Sequence, residues 1–188
     1  MIRYNLDREW HFKPGNTSND WWVEIKSTVV DLPHDFSIIQ KRDPNTPAGP
    51  TNGYFPGGVG VYRKSVFIPE EWKGKKVLVE FEGVYMNATV RFNGNIVAYH
   101  PYGYTGFFCD LTPYIKYGQE NSISVTVNNS ALPNTRWYSG SGIYRHVWLL
   151  VAENVHIAPW GVYAVTKQAS PEKSLVCVRT KVENSGST

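Results

Sequence analysis

The sequence predicts an all-β protein, an antiparallel sandwich or jelly roll, and three observations carry that prediction. Period-two alternation of apolar and polar residues recurs along the chain, helical periodicity does not, and turn signals return roughly every eight to twelve residues. The 7 Trp, 12 Tyr and 8 Phe, beside 16 Gly and 12 Pro, suit the same class. Aromatic rings pack on pleated faces, while Gly and Pro punctuate turns. Flat rings can also stack on sugars, so carbohydrate binding is a second use for some of them.

The segment 76–82 places Val77, Val79 and Phe81 on one face and mostly polar groups on the other. Residues 87–92 repeat the pattern with Ala88, Val90 and Phe92 inward. Asn93-Gly94 follows, and both residues tolerate positive φ, so a hairpin returns through 96–99. Segment 122–127 alternates cleanly, and 145–151 reads as a more fully buried strand. Weaker strands are expected at 10–12, 28–30, 61–68 and 105–109. One helical turn is expected at 112–118, with Thr112 as cap, Pro113 in the first helical position and Gly118 as the stop. Beyond 153, a bridge over 154–161 leads to a hairpin in which Val176, Val178, Thr180 and Val182 alternate. A lone hairpin is marginal in water, so it is expected to begin a second β domain.

The 188 residues exceed one typical domain. The net charge of +3 is small and dispersed, which describes neither a nucleic-acid binder nor a membrane-surface binder. No apolar run approaches the ~18 residues of a membrane span. The first seven residues, Met1 to Asp7, lack an apolar leader. The protein is therefore expected to be cytoplasmic or to have lost a leader, and the residues leave the compartment open. Cys109 and Cys177 are far apart and read as two separate thiols.

Two long irregular segments stand out, 44–60, rich in Pro and Gly, and 130–142. Loops of that length in a compact domain are usually functional or disordered. Trp137 and Tyr138 beside Arg136 favour function for the second. The usual catalytic signatures are missing. Gly57-Gly58-Val59-Gly60 is followed by neither a helix nor Lys-Ser/Thr, as a phosphate loop requires. The five histidines show no metal-ligand spacing. Position 138 is Tyr, which breaks a Gly-x-Ser-x-Gly frame around Ser139-Gly140-Ser141-Gly142. The carboxylate pairs Glu80/Glu82, Glu70/Glu71 and Asp31/Asp35 read as surface or turn groups rather than as a glycosidase pair.

Five stretches together resemble the N-terminal domain of glycoside hydrolase family 2, which includes β-galactosidases and β-glucuronidases. They are Leu32-Pro33-His34-Asp35-Phe36, and Gly58-Val59-Gly60-Val61-Tyr62-Arg63-Lys64. Then come Phe81-Glu82-Gly83-Val84-Tyr85 with Ala88 and Asn93-Gly94, and Gly103-Tyr104-Thr105 with Asp110-Leu111-Thr112. The last is Arg136-Trp137-Tyr138-Ser139-Gly140-Ser141-Gly142-Ile143-Tyr144-Arg145.

The resemblance implies a galactose-binding-like jelly-roll sandwich over 1–153, a linker over 154–161, and over 162–188 the start of an immunoglobulin-like sandwich. A (β/α)8 barrel would follow and hold both catalytic glutamates, so this chain alone is expected to be inactive and to have no catalytic residue. The implied role is to support the barrel and shape the rim of the sugar pocket in an exo-acting retaining glycosidase, closer to the β-galactosidase branch. Arg136, Trp137, Tyr138, Asn134 and Asn52 are the rim candidates. Arg136 stands where some relatives carry an acidic residue that contacts sugar hydroxyls. His34, Asp35, Tyr62, Arg63, Gly140, Gly142 and Arg145 are expected to be structural, with Arg145 as an ion-pair partner. No cofactor or metal is expected on this chain, and a metal in the barrel stays open. The expected partners are the chain's own downstream domains and carbohydrate, with oligomer contacts in the full enzyme; no nucleic acid or membrane is expected. An autonomous carbohydrate-binding module and a purely structural or oligomerisation domain remain the alternatives.

Overall fold

The structure, a computed structural model, describes residues 1–15, 27–131 and 137–186. Among them are twelve strands: β1 (Ile2–Asn5), β2 (Trp10–Pro14), β3 (Thr28–Val30), β4 (Gly58–Ile68), β5 (Lys76–Phe81), β6 (Ala88–Phe92), β7 (Asn95–His100), β8 (Phe107–Asp110), β9 (Gln119–Asn129), β10 (Val147–Ala152), β11 (Val155–Ala169) and β12 (Ser174–Asn184). A four-stranded sheet of order β1-β10-β5-β8 faces a six-stranded sheet of order β3-β2-β4-β9-β6-β7, and β11 and β12 pair as a separate hairpin. Every pairing is antiparallel. This is the two-layer sandwich that the alternation predicts.

The core forms where the inward faces meet. Val77, Val79 and Phe81 of β5 and Val147, Leu149 and Val151 of β10 come from the smaller sheet. Trp10, Phe12, Tyr62, Ala88, Val90, Phe92, Ile123, Val125 and Val127 come from the larger. Each fully buried large aliphatic or aromatic side chain contributes roughly 1.5–3 kcal/mol relative to exposure. Strand β5 departs from simple alternation, because Leu78 and Glu80 on its second face are buried as well. Arg3 of β1 covers Glu80 there, at 2.8 Å. Strand β1 itself escaped the sequence reading: it has only four residues, all exposed, and exists through its pairing with β10.

Thr112 is not a helix cap. The short 3-10 turn Thr112–Tyr114 begins after Leu111, and the Thr112 hydroxyl instead bridges to β5, accepting from Val77 N (3.0 Å) and donating to Val77 O (3.2 Å). The cap residue is Leu111, with no side-chain cap, and Asp110 Oδ1 before it accepts from Thr112 N at 3.0 Å. The bridge 154–161 also differs from expectation, since most of it is the first half of β11, with Val155 opposite Asn184 and Ile157 opposite Val182. Trp160 has φ +52° and sets its ring against Phe108 of β8, centroids 4.7 Å apart, which links the hairpin to the sandwich. Val162, Val176, Val178 and Val182 of the hairpin are exposed.

Candidate functional site

The strongest constellation lies at one end of the sandwich, where the two irregular segments meet. The chain leaving β3 passes Leu32-Pro33 and runs beside the segment 139–143. His34 N donates to Ile143 O and Phe36 N to Ser141 O, both at 2.8 Å. Asp35 sits at the centre. Its Oδ1 accepts from Ser37 N (2.8 Å) and Ser141 N (2.9 Å), and its Oδ2 accepts a short hydrogen bond from the Tyr138 hydroxyl. Burial raises the Tyr138 phenol pKa, and the Asp35 carboxylate, which accepts the phenol's hydrogen bond and repels the phenolate, raises it further. The segment therefore closes as neutral phenol on carboxylate.

Two glycines allow this approach. Gly140 has φ +72°, and a Cβ there would come within 2.8 Å of Asp35 Oδ2. Gly142 has φ +138°, and a Cβ there would come within 2.4 Å of His34 O and 2.5 Å of Tyr62 Oη. Side chains rarely adopt such φ values, and no atom fits the space. Gly142 also exchanges backbone hydrogen bonds with Tyr85, at 2.8 and 2.9 Å. Tyr62 is fully buried, and its hydroxyl lies 2.8 Å from His34 Nδ1. Burial lowers the His34 pKa despite neighbouring Asp35, and it raises that of Tyr62, so the pair is a neutral imidazole hydrogen-bonded to a neutral phenol.

The Pro/Gly-rich loop joins through Asn52. That side chain is 2 % exposed, donates to Phe55 O at 2.9 Å and accepts from Ser139 N at 3.3 Å. Both ends of its carboxamide are thus engaged beneath the surface, which makes it a strut between the loops. Phe55 meets the Tyr138 ring edge-on at 5.2 Å, and Arg42 covers Phe55 at 4.9 Å. On this platform Trp137 is 61 % exposed.

The other predicted residues are distributed as follows. Arg136 and Asn134 lie outside the described residues. Arg145 is exposed, with its Nε 3.8 Å from Glu82 Oε2, a pair that water largely screens. Arg63 lies on the outer face of β4, away from this end. Sequence reasoning missed Tyr102 and Tyr104. Both are exposed and packed edge-on at 5.6 Å, and Tyr104 lies against Tyr85 at 5.3 Å. Tyr85 in turn hydrogen-bonds with Ser139, so this ring cluster borders the same loop. The Tyr102-Gly103-Tyr104 spacing was the available signal. Among the described residues no cluster of His, Cys, Asp and Glu could hold a metal ion.

What this end offers is an exposed indole and phenols on a rigid, hydrogen-bonded base, suited to stacking on an apolar sugar face. Comparison with known proteins gives this geometry its context. The chain is 38 % identical to the β-galactosidase BoGH2A of Bacteroides ovatus, over 99 % of this chain and 22 % of that protein. It is 31 % identical to a β-glucuronidase of Bacteroides fragilis, over 95 % of this chain and 26 % of the relative. A β-glycosidase structure from Bacteroides vulgatus superposes with a TM-score of 0.90 at 34 % identity, covering 98 % of this chain and 24 % of that one. The chain thus spans about a quarter of the length of these relatives. Residues 5–153 match the family described as glycosyl hydrolases family 2, sugar binding domain, and the chain belongs to that family.

Proposed function

We propose that this chain is the non-catalytic N-terminal part of a family 2 exo-glycosidase of the β-galactosidase type. In this reading it buttresses a downstream barrel and lends Trp137, and Arg136 and Tyr138 beside it, to the rim of the sugar pocket. The observation that carries the reading is the Asp35–Tyr138 closure, which with Asn52 locks two long loops together beneath the exposed Trp137. Such a base holds an indole in one place, and preorganisation of this kind is what a pocket wall requires. The exposed valines of β11 and β12 are the apolar face of an immunoglobulin-like sandwich whose second sheet lies further along the protein. Terminal β-linked sugar would be hydrolysed in the barrel, with retention, and no step falls to this chain.

The test is Trp137→Ala in the intact protein, assayed on a small β-galactoside. The expected result is a rise in KM of about tenfold, from loss of roughly 1–1.5 kcal/mol of stacking. Unchanged kinetics would favour a purely structural domain. The 188-residue chain alone is expected to bind no galactoside at millimolar concentration, and tight binding by it would favour an autonomous carbohydrate-binding module.

A further inference from the structure

The outer face of the six-stranded sheet carries a second polar feature, far from the loops. There an open groove of about 480 Å³ is lined by Arg63, Arg91, Lys116, Glu120 and a floor of serines. The sheet register builds it. Arg63 of β4 and Arg91 of β6 are both opposite Ser124 of β9, one on each side, and Ser65 is opposite Ser122. Two strand spacings put the arginine Cα atoms about 10 Å apart, so both long side chains can reach one anion held over Ser124. Lys116 closes the groove, and its backbone is pinned from both sides by one buried amide. Asn121 Oδ1 accepts from Lys116 N at 2.9 Å, and Asn121 Nδ2 donates to Lys116 O at 2.7 Å. Asn93 of the Asn93-Gly94 turn secures Asn121 in turn, at 2.7 Å.

Among the described residues the lining carries one carboxylate, Glu120, and it already accepts from Ser65 Oγ at 2.5 Å. Among the described residues neither Arg91 nor the Lys116 ammonium has an ion-pair partner. The volume lies in the range of small-ligand sites. A serine floor offers hydroxyl-to-hydroxyl hydrogen bonds, and Phe67, exposed two residues beyond Ser65 on the same face, offers an apolar flank. Cation pairs, hydroxyls and an aromatic flank together describe an acidic sugar better than an inorganic ion.

We propose that this groove is a binding site for an anionic saccharide, its carboxylate or sulfate held between Arg63 and Arg91 with Lys116 alongside. Gly58, which pairs with the loop-bearing end of β9, is five residues from Arg63, roughly 17 Å along the strand. The groove is therefore separate from the Trp137 rim and would hold a remote part of a charged glycan. Only the choice of a saccharide rests on the family reading, and the Trp137→Ala kinetics test that reading independently.

The experiment is calorimetric titration of the intact protein with trigalacturonate, a sulfated galactotriose and unmodified galactotriose. One or both charged trimers should bind, and the pair distinguishes a uronate from a sulfate ester as the anion recognised. Affinity should fall about 10–100-fold in Arg91→Ala and in Lys116→Ala, both surface changes, and should weaken with salt. Trp137→Ala should leave it unchanged. An equal fall in neutral-trimer affinity in Arg91→Ala and Lys116→Ala, no binding of either charged trimer at millimolar concentration, or full affinity in both variants would overturn the proposal.

Discussion

The Tyr138 hydroxyl donates to Asp35, 103 residues away in sequence, and this bond, with the backbone bonds of His34 and Phe36, closes the loop carrying Trp137 onto the strand-to-loop corner at His34. Asp35 also receives the backbone amides of Ser37 and Ser141, so the carboxylate anchors its own corner and the 138–141 segment together. Removing the phenol in Tyr138→Phe should cost about 1.5–3 kcal/mol, as for hydrogen bonds to charged groups. Denaturant unfolding measures it, and an unchanged midpoint would contradict the anchoring role.

The tyrosines also set an alkaline limit. Burial raises the phenol pKa values of Tyr62 and Tyr138 in the folded protein, so the folded state holds protons that the unfolded state releases. Their contribution is complete below the ordinary phenol value of about 10 and is lost as pH rises above it. Stability followed from pH 8 to 11 should therefore decline above about 10. The decline should be shallower in Tyr62→Phe, and identical slopes would refute the assignment.

Glycine substitutions should separate backbone strain from collision. Gly142→Ala combines a positive φ with a Cβ placed 2.4 Å from His34 O, and should destabilise by about 2–4 kcal/mol. Gly94, φ +86°, has nothing within 4 Å of its Cβ position, so Gly94→Ala should cost only about 1–2 kcal/mol. Equal thermal shifts in the two variants would count against the packing described for Gly142.

At acid pH Asp7 is one sensitive group. Burial opposes its ionisation, yet hydrogen bonds from Asn5, the Val147 amide and His146 together hold its pKa below the usual carboxylate value. The stabilisation is present above about pH 3.9 and is lost as pH falls through the lower folded value. Asp7→Asn should flatten the acid limb of the stability profile, which circular dichroism between pH 2 and 6 would show.

The two thiols should differ in reactivity. Cys109 is buried in the core and its pKa is pushed up to about 12, so almost no thiolate forms near neutrality. Cys177 is partly exposed on β12. A thiol-exchange dye should titrate one equivalent in the native protein and the second only after unfolding; two fast equivalents would contradict the buried placement.

The sequence by itself determined the class of fold and most strand centres, because alternation is local: Val77, Val79 and Phe81 must face one way in any sheet. Residues 28–30 form β3 as expected, and Asn93-Gly94 makes its hairpin turn because both positions adopt positive φ. The tertiary structure decided whatever depended on a partner far away in the chain. Strand β1 lacks an apolar face of its own and exists through pairing with β10. Asn52 reads as a loop residue that could meet a sugar, yet Phe55 and Ser139 occupy both ends of its amide. Arg63 and Arg91 become neighbours across Ser124 only through strand order, which no local pattern encodes. Side-chain periodicity is written within each strand, whereas contacts between strands follow from how the sheets fold together.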